Sequence, residues 1–376
     1  MASTPKASAP SESWIALLGR RDEPTDGVED YCTFLGEALA RRGVELNHVR
    51  VEWNEKGWFN ALRWLWGESR RWCGKWVLLQ YTALGWSRRG FPVGVLAVQS
   101  ILRRRGARVA VVFHEPFGLV GHRWIYGMRS TFQERTVRRL YRGATKAIIL
   151  EPLAKIPWLP KGDSKAIFIP IGGNVPEPPQ RGEPPAGCED QRKTIVVFCV
   201  DYPPYRKREL EEISHAVRFA ASIGLKLRII FIGKGSMEAK NEIDHVFEKI
   251  PVEVLNLGIR NAAEVSRTLA ESDVMLCVRG KIYPRRGSAI AGIACGLPII
   301  GYAGAAEGTP LAEAGLQLVP YGDKQALGAA LVRVLSDESL SQELRQRSMQ
   351  AQQKYFSWDA IAKKLMESLN AKQASA

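Results

Sequence analysis

Residues 257–301 read L-G-I-R-N-A-A-E-V-S-R-T-L-A-E-S-D-V-M-L-C-V-R-G-K-I-Y-P-R-R-G-S-A-I-A-G-I-A-C-G-L-P-I-I-G, and no other stretch restricts the fold as much. Residues 261–272 carry a helical apolar period, with Ala263, Val265, Leu269 and Ala270 on the inward side. Residues 274–278 are a short continuous apolar run, the signature of a strand buried on both faces. A basic, glycine-containing loop follows over 279–287, and Ser288 suits the N-cap of a helix through Ala294. Gly296 ends that helix, Pro298 prevents its continuing, and Ile299-Ile300 opens the next strand. Helix, strand, basic loop, helix and strand in succession demand a parallel sheet. The first turn of a helix presents N–H groups without intrahelical partners, which favours an anion there. With Arg279, Lys281, Arg285 and Arg286 beside Gly287 and Ser288, the loop reads as a diphosphate site.

The same alternation runs through the chain. In the first half, strands are expected at 14–18, 44–51, 76–81, 107–113, 147–150 and 166–169, and helices over 25–41, 53–76, 91–102 and 132–142. Residues 170–191 hold Pro176, Pro178, Pro179, Pro184 and Pro185 and little apolar content, so they read as a connection. The pattern then restarts: strands at 194–200, 226–232 and 252–257, a loop over 201–208, and a helix over 209–223. A strand at 316–319, a helix over 324–335 and a last helix after Phe356-Ser357-Trp358 complete it. Two parallel-sheet α/β domains follow.

The charge is unevenly placed. Residues 1–170 hold 27 Lys+Arg against 15 Asp+Glu, a net of +12 out of the +14 for the whole chain, and ten of the eleven tryptophans lie before residue 160. A basic, Trp-rich surface suits an anionic membrane face or an acidic ligand. Trp58, Leu62, Leu65 and Trp66 share one helical face near Arg63, Arg70, Arg71 and Lys75, which fits either an interfacial helix or one packed on the sheet. No apolar run approaches the roughly 20 residues of a membrane span. Residues 1–13 are small and polar and read as a disordered tail without the apolar core of a signal peptide. The six cysteines are scattered and mostly within apolar runs, the pattern of reduced core thiols in a cytoplasmic protein. No metal-ligand cluster and no nucleic-acid-binding motif is visible, so charge alone does not make the chain a specific nucleic-acid binder.

The ending G-I-A-C-G-L-P-I-I-G, preceded by A-E-S-D-V, resembles the nucleotide-sugar-binding half of GT-B glycosyltransferases, close to glycosyltransferase family 4 (group 1 type). The resemblance covers nearly the whole chain and is clearest over 174–358. It implies an N-terminal acceptor-side Rossmann-like domain (14–170), a linker (171–192), a nucleotide-sugar domain (193–350) and a C-terminal helix (351–376) crossing back, with the two sheets facing a central cleft. That family carries Glu-x7-Glu before A-x-A-C-G-x-P. Aligned on Cys295-Gly296-Leu297-Pro298, the two glutamates fall at Tyr283 and Ala291. The second of them holds the donor ribose in the family.

The resemblance implies the remaining site residues. Gly27, in Asp26-Gly27-Val28-Glu29, matches a Gly-Gly-Val-Glu segment where backbone approaches the donor; Asp26 stands for the first glycine. His114 ends a strand on the cleft side, where a histidine contacts the donor sugar, and the adjacent Glu115 is placed to accept a hydrogen bond from an acceptor hydroxyl. The family grips the diphosphate with an Arg and a Lys about six residues apart. Lys207 is the match here, the arginine falls at Asp201, and Arg206 or Arg208 is the substitute. Gly233, in Gly233-Lys234-Gly235-Ser236, lies where the family has a nucleotide-side turn, and Tyr283 is a candidate to stack on the base or sugar. The expected activity is transfer of a sugar from a nucleoside-diphosphate donor to a hydroxyl of a saccharide or lipid-linked saccharide, in bacterial cell-surface polysaccharide or glycolipid assembly. Retention at the anomeric carbon, no bound metal or cofactor, and a cytoplasmic location at the inner membrane face go with it. The missing glutamates leave a second reading, a GT-B pseudoenzyme that binds nucleotide or sugar without transfer.

Overall fold

The computed structural model describes residues 12–22, 26–118, 124–176, 192–203, 205–304 and 308–371, with only the backbone of 124–126. Residues 1–11 of the expected tail, Thr25, and residues 177–191 of the expected linker with Cys188 lie outside the described residues. The chain forms two compact units, one reaching Pro170 and resuming at Trp358, the other running from Ile171 to Ser357.

The first unit contains β1 (Glu12–Leu18), α1 (Gly27–Ala40), β2 (Val44–Arg50), α2 (Trp53–Glu68) and β3 (Trp76–Tyr81). It continues with α3 (Gly94–Arg104), β4 (Arg108–Phe113), α4 (Trp124–Gly143), β5 (Lys146–Ile149) and β6 (Ala166–Phe168). The six strands pair in parallel in the order β2-β1-β3-β4-β5-β6. Every residue of β3 is buried, as expected of W-V-L-L-Q-Y flanked by strands and covered on both faces. α2 is broken at Gly57, whose φ of 77° and ψ of 157° lie outside the helical region.

The second unit contains β7 (Lys193–Phe198), α5 (Tyr205–Ser222), β8 (Leu227–Ile232), α6 (Lys240–Phe247), β9 (Val252–Gly258) and α7 (Ala262–Glu271). It continues with β10 (Val274–Lys281), α8 (Gly287–Ala294), β11 (Ile299–Tyr302), β12 (Leu316–Val319), α9 (Lys324–Ser336) and α10 (Glu338–Ala351). Its parallel sheet has the order β12-β11-β10-β7-β8-β9, with one apolar cluster on each face. The chain starts at β7, builds outward through β8 and β9, then crosses to β10. The carboxyl ends of β7 and β10 therefore flank the point where the winding reverses, the place where such sheets open a ligand crevice.

α11 (Trp358–Asn370) belongs to the first unit. Trp358 stacks on Phe34 and meets Tyr31 edge-on, and Arg41 binds Asp359 at 2.9 Å, so the helix docks on α1. Residues 352–356 form a π-turn that stays with the second unit.

Several local expectations change. Asn261 caps α7 in a reciprocal box with Glu264, but Ala263 is exposed and Ser266 takes the inward position, donating to the Pro176 carbonyl at 2.8 Å. β10 continues through a bulge to Lys281, so Arg279 sits on a strand and not in a loop. Arg286 occupies the N-cap of α8; Ser288 is already helical, with its Oγ beside Cys277 Sγ at 3.8 Å. α5 begins at Tyr205, which puts Arg206, Lys207 and Arg208 in its first turn instead of in a loop. The backbone hydrogen bond from Arg206 to the Tyr202 carbonyl starts that turn early.

Candidate functional site

In the second unit, the β7–α5 loop, the β8–α6 turn and the end of β10 meet at the winding reversal. Cys199 has a φ of 66°, the left-handed region that L side chains seldom adopt. Its N–H donates to the Ile232 carbonyl at 2.8 Å, and the N–H of Val200 donates to the Lys234 carbonyl at 3.0 Å. These bonds lock the loop after β7 onto the turn after β8. The turn can come that close because Gly235 has no side chain: a Cβ there would lie 2.2 Å from the Val200 carbonyl oxygen. Gly233, at a φ of 94°, packs against the side chains of Phe198 and Cys199, which a Cβ there would approach to 2.9 and 3.0 Å.

The charged groups at this end form one cluster. Arg279 Nε lies 3.4 Å from Asp201 Oδ1. The Asp201 N–H donates to Oε2 of Glu209 at 2.7 Å, and Glu209 is 2% exposed. Burial pushes the Glu209 carboxyl up to about 7; Asp201 adds to this, while the Asp201 N–H bond, Arg279 and Arg286 oppose it. Arg286 Nε is buried without a hydrogen-bond partner among the described residues, and its guanidinium lies over the Tyr283 ring at 5.4 Å. A buried donor of that kind calls for an acceptor. Gly287 and Ser288 follow at the start of α8, and Tyr283 is exposed.

The basic triplet of α5 splits three ways. Arg206 is buried and serves the fold, donating to the carbonyls of Asp201 and Glu238 and to Glu242. Arg208 pairs with Glu212 at 3.6 Å, hydrogen-bonds the Tyr321 hydroxyl and lies over the Tyr321 ring, where Lys281 also sits. Lys207 is exposed. Arg285 is half-buried next to Arg286. Ala291, the place of the second family glutamate, is buried in the core behind α8.

In the first unit the winding reverses between β1 and β3. Gly19 after β1 meets Gly85 after β3 so closely that a Cβ on Gly19 would lie 2.2 Å from the Gly85 carbonyl oxygen. That oxygen accepts from the Arg20 N–H and from Trp53 Nε1. Asp26 caps α1 through the N–H groups of Val28 and Glu29 and is countered by Arg50 at 3.4 Å. This explains an aspartate in place of glycine: it satisfies the open end of the helix. A Cβ on Gly27 would meet nothing within 4 Å, so packing does not demand glycine there.

His114 follows β4. Its Nε2 lies 2.8 Å from Gln80 Oε1, its N–H donates to the Tyr81 carbonyl, and its ring meets Tyr31 edge-on at 5.0 Å. Glu115 Oε2 accepts from the Ala83 N–H at 3.2 Å, holding the β3 and β4 loops together. Gln80 is the residue that spacing did not single out: a polar side chain inside the buried run of β3, oriented by donation to the Leu78 carbonyl. Asp201 lies in the loop after β7, Glu209 in the second turn of α5 and Gln80 next to the end of β3. Their polarity within apolar or basic runs was the available signal.

Five of the eleven tryptophans are buried in the core. Trp14, Trp76 and Trp86 are fully buried, Trp72 is 5% exposed, and Trp53 is buried and stacked on Trp58. What remains outside on α2 is Phe59 at 78% exposure with Trp64 and Trp66. The Arg105 guanidinium lies 3.5 Å over the Trp66 ring. No helix among the described residues is long and apolar enough to cross a membrane.

The sequence matches no protein-family model, and no curated protein matches it. Solved structures do match. A glycosyltransferase from Rickettsia africae ESF-5 aligns with a TM-score of 0.67 at 13% identity, over 96% of this chain and 99% of that one. HepE (Alr3699) of Anabaena, solved in complex with UDP-glucose, aligns with a TM-score of 0.63 at 12% identity, over 96% of this chain and 100% of that one. WaaG, a glycosyltransferase involved in lipopolysaccharide biosynthesis, aligns with a TM-score of 0.58 at 13% identity, again over 96% and 100%. What is shared at these identities is the fold: the chain has the GT-B architecture of two Rossmann-like parallel-sheet units.

Proposed function

We propose that this GT-B chain is a glycosyltransferase that takes a sugar from a nucleoside-diphosphate donor and places it on an acceptor hydroxyl. The observation that carries the reading is the guanidinium cluster at the winding reversal of the second unit. Arg279 and Arg286 lie there with the start of α8. Departure of a nucleoside diphosphate leaves added negative charge on its oxygens, and fixed cations at that point lower the barrier. The fold relatives include HepE, whose solved complex holds UDP-glucose, which supports a nucleotide-sugar donor here.

In this reading Arg279 and Arg286 hold the donor diphosphate; His114, which the family resemblance assigns to a sugar hydroxyl, is fixed in orientation by Gln80. Glu115 holds its loop. The transfer is retaining, as the family resemblance implies, with the leaving diphosphate receiving the acceptor proton. The arginines carry the charge, and no cofactor is called on. The role of WaaG in lipopolysaccharide biosynthesis favours a saccharide or lipid-linked saccharide acceptor at a membrane face, with Phe59, Trp64 and Trp66 as the contacting apolar groups.

The test is a thermal-shift screen against nucleoside diphosphates and their sugar conjugates, followed by detection of released diphosphate with saccharide acceptors. A true donor at 100 times its dissociation constant stabilises the protein by about 2.7 kcal/mol. A chain that binds none of them is not a donor-using transferase. Binding without release or transfer would leave the pseudoenzyme.

A further inference from the structure

Glu209 is a carboxylate for which the transfer chemistry above has no use. It is 2% exposed on α5, with the Asp201 N–H on its Oε2 at 2.7 Å. A buried carboxylate is costly unless charge or hydrogen bonds compensate it. Three charged groups act on it: Asp201 on the loop after β7, Arg279 on β10, and Arg286 ahead of α8. Two thiols, Cys199 and Cys277, feel the Glu209 charge, and Lys234 of the β8–α6 turn acts on Cys199. Asp201 in turn pairs with Arg279 at 3.4 Å, while Arg286 keeps a buried Nε without an acceptor among the described residues. Both guanidiniums assigned to the diphosphate thus share their field with carboxylates of the protein itself.

We infer that Glu209 is a positioning residue of this diphosphate seat, the internal counter-charge of Arg279 and Arg286, and that it takes up a proton from solvent when a diphosphate binds. The inference rests on the reading of the crevice as a diphosphate site. Its basis is like-charge repulsion: a diphosphate drawn to the same guanidiniums disfavours an ionised carboxylate near them. The bound state then holds more protons than the free one. Below about 7, where burial already keeps Glu209 protonated, binding moves no proton at this group. Above it, affinity falls as pH rises, until the pH passes the higher value of the bound state.

The experiment is calorimetric titration of the full chain with UDP, GDP and ADP at pH 7.5, in two buffers of different ionisation enthalpy, for wild type and Glu209→Gln. Glutamine keeps an acceptor for the Asp201 N–H. Wild type is expected to take up a fraction of a proton per diphosphate bound and none per uridine, and to bind up to about tenfold more weakly at pH 8.5 than at pH 6.5, for a shift of about one unit. Glu209→Gln is expected to lose the uptake and to bind at pH 8.5 at least as tightly as wild type. A carboxyl-carbon NMR titration of wild type, with and without the diphosphate that binds, gives the same answer without a variant: the Glu209 midpoint moves up on binding. Equal proton uptake in wild type and Glu209→Gln, or an unmoved midpoint, overturns the role of Glu209 while leaving the donor site standing. If none of the three diphosphates binds, the donor reading falls and this inference with it.

Discussion

Gln80 donates its Nε2 to the Leu78 carbonyl at 3.3 Å and turns its Oε1 to His114 Nε2 at 2.8 Å. Because the amide nitrogen is committed to Leu78, the ring nitrogen facing Oε1 is the one that bears hydrogen. The imidazole is therefore held in one tautomer and one orientation. His114→Ala is expected to lower turnover on the order of 10²-fold while leaving nucleoside diphosphate affinity unchanged, since the diphosphate groups belong to the other unit. Gln80→Leu should give a smaller loss with a changed pH profile, because the ring survives but its tautomer is released. Steady-state rates and diphosphate titrations on both variants check this, and wild-type turnover in folded His114→Ala removes the histidine from the mechanism.

Arg286 and Lys207 separate in the structure although both are sequence candidates for the grip. Arg286 has a buried donor without a partner among the described residues, whereas Lys207 is exposed on α5. Arg286→Glu is expected to weaken nucleoside diphosphate binding by at least about 100-fold and nucleoside binding little, because a charge-assisted bond is lost and a repulsion gained. Lys207→Glu should cost about tenfold or less. The ratio of diphosphate to nucleoside affinity is the readout, and a ratio unchanged by Arg286→Glu means that the phosphates lie elsewhere.

Glu209 also makes stability pH-dependent. Its folded value, pushed up to about 7 by burial, lies above the ordinary 4.5, so the native state binds more protons than the unfolded chain between those values. Stability from this group is intact below about 4.5, falls as pH rises to about 7, and stays lower above that. Glu209→Gln should therefore raise stability at pH 8 by about 1–3 kcal/mol over wild type and show no such gain near pH 4.5. Denaturant melts at the two pH values decide it; an equal effect at both would show that packing, not ionisation, is what the substitution changes.

The outward face of α2 carries the proposed membrane contact. Phe59, Trp64 and Trp66 are exposed, and Arg70 and Arg71 follow in the next turn. Co-sedimentation with anionic vesicles is expected at low salt and not with neutral ones, each basic side chain adding about 1 kcal/mol near the surface. Phe59→Asp and Trp66→Ala should weaken it, whereas Trp72, buried under the 3-10 turn, offers the membrane nothing. Protein that stays in the supernatant under all conditions leaves only a soluble acceptor. Sedimentation that survives high salt makes ring insertion the anchor, with Trp66→Ala then costing more than Arg70→Ala.

Both sheets were legible in the chain, because strand and helix periods are local properties. W-V-L-L-Q-Y, V-A-V-V-F and I-V-V-F each announce a strand buried on two faces, and Gly296-Leu297-Pro298 announces the end of α8. The chain's crossing from β9 to β10, and with it the place of the crevice beside β7 and β10, came from the strand order, which parallel pairing alone does not fix. The expectation of an anion site at the basic run ahead of Gly287 is local in the same sense: it rests on a helix start with cations beside it.

What the chain alone did not determine is which charges meet. Arg206, Lys207 and Arg208 are adjacent in sequence, yet one is sunk among Asp201, Glu238 and Glu242, one is exposed, and one lies on Tyr321. A helix turns about 100° per residue, so neighbours in a run face different surroundings. The pairing of Arg279 with Asp201 joins β10 to the loop after β7, and the Gln80–His114 bond likewise joins β3 to the loop after β4. Of the ten tryptophans before residue 160 that suggest a membrane surface, the fold takes five into its core. Periodicity specifies which face of an element turns inward; burial of a charge and the identity of its partner depend on chain segments far apart in sequence, which only the tertiary structure brings together.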